Sequence, residues 1–435
     1  MTIKVLIVYE RKNRELETAI LLKYKLEKLG LDCDIAHFYQ MSKFYIFSFK
    51  KYDVVIVPHL YNTEEVYRTI ARYGNCDNII NLQYEQVLSE KWEKLGHHTP
   101  SGLAIKYKHI CWGVKTQQRL ISAGVPEDNV IVTGAIHCDL LGYLKSSSSD
   151  LKKWLGNKFS LSDSCNWKIF LSSFTYADIS DEKLRQNENI ANTNLEYFKY
   201  IHTQSRKELI EWFDKVLCDD EDSIFVYRPH PDEGDLSPLK YLENKYKNFN
   251  VIGSLSAKNW IQASDLIMSW YSTTVVESHF LDKSYAILRP VELSDDFDSV
   301  LLKKGVFIKT FEQFKNEVYF NTKFKQQALK DDDVGEYYGS KNSHASDELC
   351  ALINSVGSNK NLEKVKVPLI AYIKIGALIV LKSIYHLSEK INLDLSFNKF
   401  SESLFFDFKN QIATPKEIAD VMFQIKNVIE NDEYV

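Results

Sequence analysis

Short apolar runs alternating with stretches of helical spacing limit this chain to one fold class before any motif is considered. Lys4–Val8, Cys33–Ala36, Val54–Val57, Ile79–Gln83, His109–Trp112 and Asn129–Val132 read as strands. Between them Arg14–Leu29, Glu64–Tyr73 and Lys115–Ser122 show helical spacing, and these segments run out at Gly30, Gly74 and Gly124. Strands alternating with helices imply a parallel sheet between helical layers, the α/β class. A second series opens at Trp167–Leu171, continues through a long helix over Leu195–Leu217, and adds strands at Ile224–Val226, Val251–Ile252, Leu266–Met268 and Tyr285–Leu288.

A chain of 435 residues is too long for one ordinary core. The predicted division is a first α/β domain over 1–148, a second over 149–350 and a helical extension over 351–435, with a linker around Ser147–Asn166 and a cleft between the two sheets. A composition 45% hydrophobic and 26% charged fits a soluble globular protein, and a net charge of −5 argues against a nucleic-acid partner. The seven cysteines form no CxxC pair, so reduced thiols in a cytoplasmic protein are expected, without a cysteine zinc site. The N-terminus opens into a strand pattern rather than a signal peptide. Val367–Leu387 is apolar, but Lys374 and Lys382 interrupt it, short of a clean membrane span. The leading reading is a helix packed on protein; the alternative is peripheral association with the bilayer interface.

The densest chemistry follows the strand Ile224–Val226, in Tyr227-Arg228-Pro229-His230-Pro231-Asp232-Glu233. The prolines fix their own φ and keep Arg228 and His230 out of the helical region. In an extended line with period two, Arg228, His230 and Asp232 share one face at roughly 6–7 Å spacing. At the C-terminal end of a strand, that set suits an anionic ligand.

A second signal is Ser269-Trp270-Tyr271-Ser272-Thr273-Thr274-Val275-Val276-Glu277-Ser278, read as strand, hydroxyl-rich turn and helix. Ser272, Thr273 and Thr274 could meet a phosphate at the helix start, with Glu277 one turn inside on the ribose; a plain helix cap is the competing reading. Ser172 and Ser173, after the first strand of the second series, are expected to contact donor phosphate or sugar, or else to begin a connector to the polar stretch Asp181–Asn194. In the first half, His137 after Thr133-Gly134 and Glu85 after a strand are weaker acceptor-side candidates. Asp296 and Asp298, like Asp331–Asp333, have the spacing of a metal clamp but read better as surface acidity. Neither GxGxxG, GxxxxGK[ST] nor GxSxG occurs, which removes support for nicotinamide, P-loop and hydrolase-elbow chemistry.

Taken together, Arg228-Pro229-His230-Pro231 and Ser272-Thr273-Thr274 with Glu277 resemble the motifs of bacterial GT-B glycosyltransferases that use CMP-activated acidic sugars. Asp232, directly after His-Pro, makes the chain similar to the retaining β-Kdo transferase domains of O-antigen and capsule assembly. The resemblance implies two Rossmann-like domains facing a cleft, a CMP-β-Kdo donor, and no metal or other cofactor. Asp232 would be the nucleophile of a glycosyl-enzyme intermediate, His230 would serve the leaving phosphate, and Arg228 would lie near the sugar carboxylate or phosphate. Ser272, Thr273 and Thr274 would hold the CMP phosphate and Glu277 the ribose. The acceptor would be a glycan, lipid-linked, at the cytoplasmic face of the inner membrane, and the chain either a whole protein or one module of a larger polymerase. The alternatives are a CMP-sialic acid or CDP-glycerol-type transferase, or a non-catalytic glycan-binding module.

Overall fold

The computed structural model describes residues 2–38, 52–74, 78–144, 148–341, 344–358, 365–390 and 411–432. They form two compact units: Met1–Gln86, His98–Leu140 and Tyr338–Val435 make the first, and Val87–His97 with Leu141–Tyr337 the second.

The first unit contains six parallel strands: β1 (Lys4–Tyr9), β2 (Asp32–His37), β3 (Val54–Val57), β4 (Asn78–Asn81), β5 (Lys108–Cys111) and β6 (Val130–Val132), in the order β2-β1-β3-β4-β5-β6. Every residue of β3 and β4 is buried, as expected of parallel strands covered on both faces. The Lys12–Lys28 helix turns Leu16, Ala19 and Ile20 inward. It stops because Gly30 takes φ +83°, where its N–H bonds Glu27 O at 2.9 Å and the Leu31 N–H bonds Leu26 O at 3.1 Å. Those two bonds satisfy end carbonyls, and buried Leu26 and Leu31 close the turn. The Val114–Ser122 helix ends in the same way at Gly124, φ +94°, with the Val125 N–H bonding Leu120 O at 3.1 Å.

The second unit has its own parallel sheet: β7 (Asn166–Leu171), β8 (Ser223–Arg228), β9 (Phe249–Val251), β10 (Leu266–Ser269), β11 (Tyr285–Leu288) and β12 (Phe307–Ile308), ordered β12-β11-β10-β7-β8-β9. Counted from β7, this is the 3-2-1-4-5-6 order of the Rossmann sheet. The chain leaves β7 for β8 on one side and later returns to β10 on the other, so the switch point lies at β7.

Three further stretches take definite form. The linker around Ser147–Asn166 is largely the Ser148–Phe159 helix, which anchors itself through buried Leu155; Ser147 lies outside the described residues. The polar stretch Asp181–Asn194 contains a helix over Asp181–Ala191, capped by Ser180 on the Lys183 N–H and ended by Asn192 in the left-handed region. The C-terminal stretch is helical, as expected, and groups with the first unit. The Ala345–Gly357 helix buries Leu349 and Ile353 in the first unit, and the Asp139 carboxylate accepts from the Ala345 and Ser346 N–H groups at 3.1 and 2.6 Å. At Gly357 an added Cβ would meet Ile3 at 2.6 Å, so helix and sheet approach as closely as a bare backbone permits. No helix among the described residues is long and apolar enough to cross a membrane.

Candidate functional site

Three neighbouring strands of the second sheet finish in register, Ser269 beside Leu171 and Leu171 beside Arg228. The motif-bearing loops after β7, β8 and β10 therefore start side by side at the C-terminal edge, around the switch point, where open α/β sheets bind ligands. Ser172 N–H bonds Arg228 O at 3.0 Å and Ser269 Oγ bonds Leu171 O at 2.9 Å, tying the three loop roots together.

Beyond Arg228 the chain does not stay extended as far as Asp232. The Glu233 N–H bonds His230 O at 2.9 Å, closing a turn over Pro231-Asp232. The turn sends two adjacent carboxylates opposite ways: the Asp232 side chain is 70% exposed and the Glu233 side chain 0%. Glu233 accepts from Ser172 Oγ at 2.6 Å, Tyr227 OH at 2.8 Å and the His230 N–H at 3.3 Å, and it stands 3.0 Å from Arg206 Nε. Burial pushes its pKa up, and those donors and the Arg206 charge pull against it. Arg206, from the Glu196–Leu217 helix, also holds Asp178 and the Asp235 carbonyl, while Asp178 accepts from the Asp235 N–H at 3.0 Å. The loop carrying the His-Pro pair is thus fastened from below at both ends.

His230 is half-buried, and its Nδ1 accepts from the Asp232 N–H at 3.1 Å. That bond leaves the proton of the neutral ring on Nε2. Burial lowers the His230 pKa; the Asp232 carboxylate, 3.7 Å from Nδ1, raises it, and the Arg228 charge lowers it. Arg228 donates to Ser254 O at 2.9 Å and to Leu255 O. Burial depresses its pKa and the Glu277 charge opposes that, so the two motifs converge electrostatically.

Ser272 Oγ bonds Thr274 Oγ1 at 2.8 Å and accepts from the Thr274 N–H at 3.2 Å, so its hydroxyl braces the turn ahead of the helix, whose N-cap Thr274 makes no side-chain capping bond. The following helix, Val275–Phe280, is a short one, and the N–H groups of Val275, Val276 and Glu277 already bond Ser272, Thr273 and Thr274 carbonyls. What this turn offers a phosphate is its half-buried hydroxyls rather than a row of open amides. Ser172 is likewise committed to Glu233, whereas Ser173 Oγ is buried with no partner.

Beneath these loops lies an aromatic bed. Phe174 stacks on Trp270 with centroids 4.7 Å apart, and His202 meets Trp270 edge-on at 4.7 Å and Phe198 at 4.3 Å. Burial, with the Arg289 and His230 charges, lowers the His202 pKa to about 3, so this ring is neutral. Asp298 is not surface acidity: it is buried and pairs with buried Arg289 at 2.7 Å, while Arg289 also donates to Trp270 O. Glu233, Arg206, His202 and Arg289 were missed by the sequence reading. Only His202 and Arg206 left a trace, by sharing a helix face with Phe198, Ile201 and Leu209.

In the first unit, Glu85 is exposed and paired with Arg14, and half-buried His137 packs against Trp112 at 4.7 Å and Tyr338 at 6.0 Å. A cluster unrecognised in the sequence sits after β3: His59 Nδ1 is 3.4 Å from Glu65 Oε2 and its Nε2 is 3.8 Å from Glu10 Oε2. Burial disfavours the charged ring, but Glu65, Glu10 and Glu15 outweigh it and raise the His59 pKa.

Glu233→Ala leaves the buried Arg206 with Asp178 as its one carboxylate and removes the acceptor of two hydroxyls, and is expected to cost about 2 kcal/mol or more in urea denaturation. Glu233→Gln, which keeps one acceptor oxygen for either Ser172 or Tyr227, is expected to cost less. His59 titrates above its unfolded value of about 6.5, so its stabilising charge is fully present below that pH and is lost as pH rises through the raised folded pKa. Denaturation across that window is expected to show this decline in the wild type and a flatter profile in His59→Gln.

No family model matches the sequence, and no curated protein matches it. Solved structures do. UDP-GlcNAc 2-epimerase from Neisseria meningitidis bound to UDP-GlcNAc is similar with a TM-score of 0.54 at 14% identity, covering 81% of this chain and 100% of that one. A putative UDP-N-acetylglucosamine 2-epimerase from Listeria monocytogenes gives 0.52 at 12%, covering 84% and 100%. The wall teichoic acid polymerase TagF gives 0.53 at 11%, covering 83% of this chain and 90% of that one. At such identities the likeness concerns the fold. Two tandem parallel-sheet α/β units in this order, with C-terminal helices, are the GT-B-like fold.

Proposed function

We propose that the chain is a glycosyltransferase acting on a nucleotide-activated sugar, and that it moves Kdo from CMP-β-Kdo to a hydroxyl of a bacterial surface glycan with retention. The observation that carries this reading is the split of the two carboxylates: Glu233 is buried and fully engaged, and Asp232 beside it is open to a substrate. The nucleotide part is supported by the fold shared with an epimerase bound to UDP-GlcNAc and with a TagF structure soaked with CDPG.

In the proposed reaction the Asp232 carboxylate attacks the anomeric carbon as the bond from that carbon to the phosphate oxygen breaks, and CMP leaves. The His230 Nε2–H donates to the departing phosphate, and the Arg228 charge offsets its negative charge. An acceptor hydroxyl then attacks the same carbon, the ester to Asp232 breaks, and the hydroxyl proton passes to a base. Two inversions give net retention. Ser272, Thr273 and Thr274 border the phosphate and Glu277 the ribose. The likeness to TagF favours a CDP-glycerol-type transferase as the second reading.

Asp232→Asn is expected to lower transfer by about a thousandfold while CMP binding, measured by calorimetry, persists. Separate incubations with CMP-Kdo, CMP-sialic acid and CDP-glycerol, followed by product mass, discriminate the donors. Consumption of CDP-glycerol alone overturns the Kdo assignment, and an inert wild type supports a glycan-binding module. Because side chains meet the phosphate charge in this scheme, turnover is expected to survive excess chelator; its loss would count against the scheme.

A further inference from the structure

Among its described residues the Leu369–Lys390 helix has one buried and one exposed apolar face. It rests on the Thr63–Tyr73 helix of the first unit through Ala371 and Ile375, both buried, with Lys374 Nζ 3.4 Å from Glu64. Leu369, Ile370, Ile373 and Val380 are instead 74%, 56%, 56% and 58% exposed, and Ala377 is exposed as well. At about 100° per residue those five positions fall within about 100° of arc, on the side of the helix opposite Ala371 and Ile375. An exposed stripe of aliphatic side chains along one face of a helix marks an interaction surface rather than scattered surface apolarity.

The charge around the stripe decides what covers it. From Val365 to Val380 the sequence holds Lys366 and Lys374 and no Asp or Glu. Lys366 is exposed just ahead of the helix, and the Lys374 side chain, 61% exposed, flanks the stripe. A second copy packed on the same face would bring like charges together, since a two-fold contact opposes a patch to itself. An anionic lipid surface meets both properties at once: it takes the aliphatic stripe into the headgroup boundary and the lysines against its negative charge. The helix is not long and apolar enough to cross a membrane.

We propose that this face docks the protein on anionic bilayers, with the Leu369–Val380 stripe lying in the interface and its lysines at the headgroups. The inference stands on the first unit alone and is independent of the donor chemistry above. The full chain is sedimented with vesicles of equal parts phosphatidylglycerol and phosphatidylcholine, and with phosphatidylcholine alone. The wild type is expected to pellet with the anionic vesicles, to be released by high salt, and to remain largely in the supernatant with phosphatidylcholine alone. Ile370→Glu with Ile373→Glu is expected to lower the apparent affinity at least about tenfold with an unchanged thermal melt. Lys366→Gln with Lys374→Gln should weaken it by about fivefold per charge, and tests the site by a change that leaves the apolar stripe intact. The proposal is overturned if the wild type stays in solution with anionic vesicles, or if the isoleucine pair pellets like the wild type. It is also overturned if that pair converts a wild-type dimer into a monomer without altering vesicle binding.

Discussion

The Glu233 carboxylate is the constraint on which the second unit's site depends. It has no solvent of its own, so its lone pairs are satisfied by Ser172 from the loop after β7, Tyr227 from β8, the His230 amide, and the Arg206 charge from the long helix. A buried carboxylate with any of these removed is costly, which makes the set cooperative. The turn over Pro231-Asp232 inherits its geometry from that network. His230 and Asp232 are presented at the rim because their neighbour is held inside.

The same logic extends outward. Arg206 reaches Asp178 and Asp235, so the loop after β7 and the chain beyond the His-Pro turn share one guanidinium. On the other side of β7, buried Arg289 holds the Trp270 carbonyl and Asp298, and Trp270 in turn packs on Phe174 and His202. The site's rim is polar and half-buried, but its floor is aromatic, and each buried charge in the floor has an opposite charge within reach. This division leaves His230 electrically mixed: burial and Arg228 disfavour its protonation and Asp232 favours it.

Much of the fold was legible in the residues. Nearly every strand announced itself as an apolar run, and the helix ends at Gly30 and Gly124 were readable because only a residue without a Cβ adopts those φ values cheaply. Polar helices were harder. Asp181–Ala191 and Ser148–Phe159 bury too few side chains to show a clear apolar period. Within the site, the extended period-two line from Arg228 to Asp232 does not hold, since one hydrogen bond from the Glu233 N–H to the His230 carbonyl bends it.

Sequence alone determined the kind of sheet, the number of sheets and which loops hold concentrated polar chemistry, because periodicity and proline or glycine punctuation act over a few residues. Only the tertiary structure decided that Glu233 and not Asp232 is the buried carboxylate, that Ser172 serves the scaffold, that Asp298 is an internal counter-ion, and that the C-terminal helices complete the first unit. The reason is distance along the chain. Apart from the Asp298–Arg289 pair, nine residues apart, those outcomes rest on partners tens to hundreds of residues away or on which side of a turn a carboxylate falls, and no local pattern records either.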